Sequence, residues 1–331
     1  MDDPVAAALP DAFPDRTVDE LVGVGPSWNG SNETVGVDFA DGGRAYLKVA
    51  IEGDGGRIAR ERAVLEHVSS RGTVPVPPVL AADQNASVPY LATAPAPGTG
   101  LLDAYETADT DRVRESLLRG VGRALAALHE ERFGEHGEVI GGGTGAGLDL
   151  DPDSWTDVLL ATIERTREIG TTDRLATHFD AVIDCVESNR ERLDDAPPAL
   201  LHGDVAKPNA FVVDEGRKAG PERDLPRIGL LDWELAHVGD PARDLVRARD
   251  QLCNDFDSEG PPRFGEAVYD GYRERSGGLP DGFTEREPVY RVVRVLGRSG
   301  FLDQWATYLD TPIGELEERI DAELEERIAA V

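Results

Sequence analysis

Leu200-Leu201-His202-Gly203-Asp204-Val205-Ala206-Lys207-Pro208-Asn209-Ala210-Phe211-Val212-Val213 sets a short polar loop between two apolar runs. An apolar lead-in stops at His-Gly-Asp, a short polar loop follows, and a second apolar run resumes at Ala210. This is the pattern of a loop held between two buried segments, with its polar side chains presented at one edge. Four residues separate Asp204 from Asn209. Further on, the apolar run Ile228-Gly229-Leu230-Leu231 delivers Asp232-Trp233-Glu234. The plainer reading is a β-hairpin whose Asp and Asn residues only make turns.

The chemistry favours a site. In phosphoryl-transfer enzymes of the protein-kinase type, an Asp at this spacing accepts the proton of the substrate hydroxyl, and the Asn holds a magnesium ion. A carboxylate at the end of a later buried strand supplies the other half of such a metal site. These residues, followed by Gly239-Asp240-Pro241-Ala242-Arg243-Asp244-Leu245, resemble the aminoglycoside phosphotransferase (APH) family, small-molecule kinases with a protein-kinase-like fold. The resemblance spans about residues 20–310, and its specific part is 200–245.

The resemblance implies an α+β, bilobal fold. Residues 1–95 would form a small β-rich nucleotide-binding lobe with one key helix, and 96–331 a larger, mainly helical catalytic and acceptor-binding lobe. It implies transfer of the γ-phosphoryl group of ATP or GTP to a hydroxyl of a small molecule: a sugar, amino alcohol, glycated amine or aminoglycoside-like compound. Asp204 would be the catalytic base, and Asn209 and Asp232 would hold Mg²⁺. Asp244 matches the family's Asp that supports the active-site loops; a helix N-terminal charge favoured by the macrodipole is the other reading. The competing function is a nucleotide-binding regulatory pseudokinase without transferase activity. A protein kinase fits poorly. His-Gly-Asp stands for His-Arg-Asp, Asp-Trp-Glu stands for Asp-Phe-Gly, and no Ala-Pro-Glu segment follows.

Two further groups of residues belong to the nucleotide side. Lys48 lies in the apolar strand Ala45-Tyr46-Leu47-Lys48-Val49-Ala50, where a buried lysine needs a partner. Ile58, Glu61, Leu65 and Val68 share one helical face, and a carboxylate on such a face is costly unless paired. Glu61 is therefore the expected partner of Lys48, which would contact the α- and β-phosphates. Backbone N–H groups of Gly30, Ser31 and Asn32 would cradle phosphates, although a simple hairpin turn also fits. Backbone groups at Ala94 and Ala96 would meet the adenine edge, since Pro95 and Pro97 lack donors. Glu234 and Trp233 would face the acceptor, on position alone.

Composition narrows the partners. A net charge of −30 argues against nucleic acid and against anionic membrane surfaces. No run approaches the roughly 18 apolar residues of a membrane span. The acidic start and two unpaired cysteines fit a cytoplasmic protein, monomer or homodimer. The acidity is spread along the chain rather than gathered in a tail, and lysine is confined to Lys48, Lys207 and Lys218. This reads as salt adaptation, because at molar salt the Debye length falls to about 3 Å and self-repulsion is screened. The expected result is a fold that loosens in low-salt buffer. Circular dichroism melts that match at low and molar salt would contradict it.

Local signals give the remaining elements. Residues 1–16 read as a loose lead-in, and Thr17-Val18-Asp19-Glu20 as a capping box opening a short helix. Thr34–Phe39 and Arg44–Ile51 read as a hairpin turning at Asp41-Gly42-Gly43. Helices are expected over about 56–70, 113–128, 154–169, 172–193 and 313–328. Gly141–Gly145 reads as a flexible linker, and the charged segment between Val213 and Arg227 as a surface insertion.

Overall fold

The computed structural model describes residues 3–24, 32–51, 55–143, 145, 147–214, 226–256 and 258–331. The chain is α+β. In order it forms α1 (Pro4–Ala12), β1 (Val18–Gly23), β2 (Asn32–Phe39), β3 (Arg44–Ala50), α2 (Gly56–Arg71), β4 (Val79–Asp83), β5 (Tyr90–Thr93), β6 (Gly98–Gly100) and α3 (Leu101–Glu106). It continues with α4 (Asp111–Leu128), β7 (Gly137–Gly143), β8 (Gly147–Pro152), α5 (Trp155–Ile169), α6 (Asp173–Ala176), α7 (Phe179–Ser188) and α8 (Arg190–Asp194). It ends with β9 (Ala199–Leu201), β10 (Ala210–Val213), β11 (Ile228–Leu230), β12 (His237–Gly239), α9 (Pro241–Cys253), α10 (Pro262–Ser276), α11 (Phe283–Ser299), α12 (Leu302–Leu309) and α13 (Ile313–Ala329).

Two compact units result, and they interleave along the chain. The first holds residues 1–106, 139–150 and 208–236; the second holds 107–138, 151–207 and 237–331. A single cut at 95/96 differs from this division for a pairing reason. β10 lies between β6 and β11, so residues 208–236 return to the earlier part of the chain.

In the first unit, β1-β2-β3-β5-β4 form an antiparallel sheet. The pleat sends alternate side chains of β3 to opposite faces. Ala45, Leu47 and Val49 enter a core with Val35, Val37 and Phe39, covered by Val5 and Ala8 of α1. Lys48 therefore belongs to the other face. α1 forms where a loose lead-in was expected: Asp3 caps the free N–H groups of Val5 and Ala6, and Pro4 supplies a pre-set first position. The capping-box reading at Thr17 fails in turn. Val18–Gly23 is a strand, because pairing with Gly36, Val37 and Phe39 of β2 overrides a local helix signal.

Gly141–Gly143 belong to β7 rather than to a linker. A side chain at Gly142, whose φ is +98°, would run into the backbone of Gly147 and Leu148. The glycines thus allow two backbones to approach closely.

In the second unit, α4 starts at its Thr110 cap and buries Leu118, Val121, Leu125 and Leu128. It crosses α10 closely, since a methyl at Gly122 would strike the Val268 carbonyl and one at Gly271 the Arg119 carbonyl. The stretch expected as one helix over 172–193 is broken into α6, α7 and α8, with non-helical backbone at Asn189 between the last two. β12 pairs antiparallel with β9, His237 facing Leu201 and Gly239 facing Ala199. β9 thus runs into the loop at His202, while β12 runs into α9 at its opposite end. The segment 215–225 lies outside the described residues. Among the described residues, no helix is long and apolar enough to cross a membrane.

Candidate active site

The first unit gathers a lysine and three carboxylates. Lys48 Nζ donates to Glu61 Oε2 at 2.7 Å and to Asp232 Oδ1 at 2.6 Å, and lies 3.4 Å from Glu234 Oε2. α2 supplies Glu61 because its helical period places position 61 on the same buried face as Ile58 and Leu65. Glu61 Oε1 also accepts the backbone N–H of Trp233 at 3.3 Å, which ties the helix to the segment after β11. Trp233 itself is fully buried.

Asp232 sits at φ +62°, a left-handed conformation uncommon for a residue with a side chain. Such backbone costs on the order of 1–3 kcal/mol and persists where the surroundings over-determine it. Here Leu231 N–H donates to Asn209 O at 2.9 Å, extending the β10–β11 ladder in which Ala210 faces Leu230. Asn209 and Asp232 are thereby held at the same end of one hairpin.

Glu234 points elsewhere than expected. It is buried, accepts Asn32 Nδ2 at 2.7 Å, and approaches Arg57 at 3.4 Å and Lys48. Arg60 donates to the Glu234 carbonyl at 3.1 Å and to the Val139 carbonyl at 2.8 Å. Glu234 therefore joins the lysine cluster, not an acceptor surface, as does the Asn32 side chain.

The electrostatics follow from crowding. Burial penalises the Lys48 charge, but Glu61, then Asp232 and Glu234, outweigh it and raise its pKa well above the usual lysine value. Burial pushes the Glu61 carboxyl up to about 7, with Lys48 opposing and the Asp232 charge adding to the rise. The two trends agree physically: three carboxylates crowd the Lys48 ammonium, with Arg57 reaching only Glu234 among them. Glu61, Asp232 and Glu234 each bring an oxygen within 4.8 Å of the others. Hard oxygen donors and excess negative charge fit a magnesium ion.

Two expectations on the nucleotide side change or fall outside. Ala94 N–H donates to the Pro78 carbonyl at 2.9 Å, so sheet pairing takes the donor that was expected to meet adenine. The Ala96 carbonyl accepts Gly98 N–H at 2.9 Å, within the tight turn that Pro95 and Pro97 impose. Gly30 and Ser31 lie outside the described residues.

The second unit builds the Asp204 loop on one face of α9. Asp240 caps that helix by accepting Ala242 N–H at 2.9 Å, with Pro241 at the first position. Asp240 is itself held by Arg286 at 2.6 Å and by the Tyr290 hydroxyl. Asp244 is fully buried and accepts the backbone N–H groups of His202 and Gly203, each at 2.9 Å. His129 Nε2 lies 3.3 Å from it, and His129 Nδ1 lies 3.2 Å from the Tyr272 hydroxyl. Burial disfavours the Asp244 charge, yet His129 and the His202 N–H outweigh it and hold its carboxyl far below the usual range. The loop-supporting role is thus visible as two backbone hydrogen bonds, beyond a helix-dipole charge.

Three and seven residues after Asp244, the same helical face presents Arg247 and Gln251. Arg247 Nη2 and Gln251 Nε2 donate to Asp204 Oδ1 at 2.7 and 2.8 Å. Asp204 N–H donates to His202 Nδ1 at 3.2 Å. Burial alone would raise the Asp204 pKa; the Arg247 charge and the Gln251 hydrogen bond reverse the sign and lower it. Sequence reading missed Arg247 and Gln251, though their spacing from Asp244 was there to be read. It also misplaced Glu234, whose position two residues from Asp232 was the available signal.

Known proteins resemble this chain in sequence and in fold. The family model described as "Phosphotransferase enzyme family" (APH) matches residues 24–288. A protein named a probable ketoamine kinase from Klebsiella aerogenes is 32% identical over 124 residues, which is 37% of this chain and 35% of that protein. The crystal structure of aminoglycoside phosphotransferase APH(4)-Ia superposes with a TM-score of 0.64 at 17% identity, covering 98% of each chain. Macrolide 2'-phosphotransferase from Brachybacterium faecium superposes at 0.54 with 21% identity, covering 96% of this chain and 97% of that one. At these identities the structural likeness speaks for the fold, which is the kinase-like α+β fold expected.

Proposed function

The chain belongs to the phosphotransferase enzyme family, and on that premise we propose that it transfers the γ-phosphoryl group of ATP or GTP to a hydroxyl of a small molecule. The observation that carries this reading is Lys48 held at 2.7 Å by Glu61 and at 2.6 Å by Asp232. In the proposed reading these would serve as the strand lysine, helix carboxylate and metal-binding carboxylate of phosphoryl transfer.

Asn209 and Asp232 would hold Mg²⁺, with Glu234 adjacent as a further carboxylate. A metal held there would supply positive charge to offset that of the transferring phosphates. Lys48 positions the α- and β-phosphates, and Glu61 keeps its ammonium pointed at them. Asp204 orients the acceptor hydroxyl and takes its proton. Asp244 fixes the backbone from which Asp204 projects, through His202 and Gly203. A pseudokinase reading gains no support from these residues, since Lys48, Asp204, Asn209 and Asp232 are all retained.

The partial match to a ketoamine kinase supports including glycated amines among candidate acceptors. The experiment is an ADP-release screen at molar KCl across aminoglycosides, amino alcohols, sugars and glycated amines. Turnover above the acceptor-free rate is expected with at least one class. A nucleotide-induced rise in melting temperature without turnover of any hydroxyl compound would favour the regulatory alternative.

A further inference from the structure

In a chain whose net charge is −30, the second unit sets arginines along two of its helices, one of them against Asp204. α9 contributes Arg243 and Arg247, and α11 contributes Arg294 and Arg298. Arg294 and Arg298 share Asp250, at 2.7 and 2.5 Å. Arg247 is differently placed. Its Nη2 donates to Asp204 and its Nε to Gln251 Oε1 at 3.1 Å, while its Nη1 has no hydrogen-bond partner among the described residues. The Arg247 and Asp204 side chains keep 24% and 26% of their surface open, whereas Arg298 keeps 9%.

Two of these arginines lie below the usual guanidinium value, chiefly because they are buried. Burial, followed by the Arg247 charge, lowers Arg243 to about 10. Burial lowers Arg294 to about 10 as well, against the pull of Asp250 and with Arg247 adding to the fall.

We propose that the acceptor carries a carboxylate or phosphate beside its reactive hydroxyl, and that Arg247 is the residue that reads that anion. A guanidinium offers a planar fork matched to both groups. The anion on Arg247 places a neighbouring hydroxyl against Asp204, which shares the same guanidinium. There the hydroxyl oxygen bonds to the γ-phosphorus, the bond from that phosphorus to the bridging oxygen of the nucleoside diphosphate breaks, and the hydroxyl proton passes to Asp204. A polycationic acceptor would meet like charge at this position and is disfavoured. The inference rests on the phosphotransferase reading and specifies its substrate class.

The test is ADP release at one fixed salt concentration with matched acceptors: gluconate against glucitol, glucose 6-phosphate against glucose, and kanamycin as a polycation. The anionic member of at least one pair should show a kcat/KM about 10-fold or more above its neutral partner, the scale of one charged hydrogen bond. Which pair responds tells carboxylate from phosphate. In Arg247→Gln that ratio should fall to near one, chiefly through KM, and Arg247→Lys should retain part of it. A neutral or cationic acceptor giving the highest kcat/KM, or a preference intact in Arg247→Gln, overturns the proposal. If none of these compounds turns over, gluconate and glucose 6-phosphate are titrated against both proteins by thermal shift. Stabilisation that is lost in Arg247→Gln supports the proposal, and no Arg247-dependent binding overturns it. The transferase reading is judged separately, by ADP release with any acceptor of any charge.

Discussion

Asp204→Ala should lower kcat at least about 10²-fold, and up to about 10⁴-fold, the range for removing a positioned general base. Nucleotide affinity should change little, because the residues proposed to hold the metal-nucleotide are Lys48, Asn209 and Asp232. The pH profile adds an independent check. Arg247 and Gln251 hold the Asp204 carboxyl below its ordinary value. The base is thus already ionised at the usual carboxylate pKa of about 4. The acid limb of kcat/KM should fall below that pH for the wild type and move upward in Arg247→Gln. A variant that retains most of its rate, or an acid limb near neutrality, would remove Asp204 from the role.

Asp244→Asn should cost about 3–5 kcal/mol at neutral pH, the scale of breaking a buried charged network. The asparagine keeps the shape but offers one acceptor oxygen where two backbone N–H groups need satisfying. The pH dependence has a definite sign. The folded-state pKa is depressed, so the carboxylate contributes fully above the unfolded value of about 4, and its contribution is lost as pH falls toward the folded value. Denaturation midpoints of wild type and variant should therefore lie far apart at pH 7 and converge in strong acid. Equal midpoints at pH 7 would mean that the loop is held by something else.

Sequence alone brackets the candidate residues whose positions follow from local chemistry. Asp204, Asn209 and Asp232 stand at the ends of apolar runs, so burial and turn signals bracket them. Lys48 and Glu61 were paired because each is a charged residue on an apolar face, and the 2.7 Å contact bears this out. What escaped depends on long-range contacts. Glu234 is one carboxylate among 64 acidic residues, and only the approach of Asn32 and Lys48 distinguishes it. Ala94 was assigned a free donor because the strand partner that engages it begins in a proline-rich stretch read as a connector. The glycines of β7 looked like a linker because close backbone approach has no periodicity. β1 was misread because its partner strand, not its own propensity, decides its conformation. Arg247 and Gln251 were within reach, at the helical spacing set by Asp244.

Lys48, with Glu61 and Asp232, is proposed to form a magnesium-dependent nucleotide site. Calorimetric titration with a non-hydrolysable ATP analogue, with and without Mg²⁺, tests it most directly. Binding should require Mg²⁺ and weaken by about 10–100-fold in Lys48→Met and in Asp232→Asn, the scale of losing a charged hydrogen bond. Affinity that is the same in these variants, or the same without the metal, would contradict it.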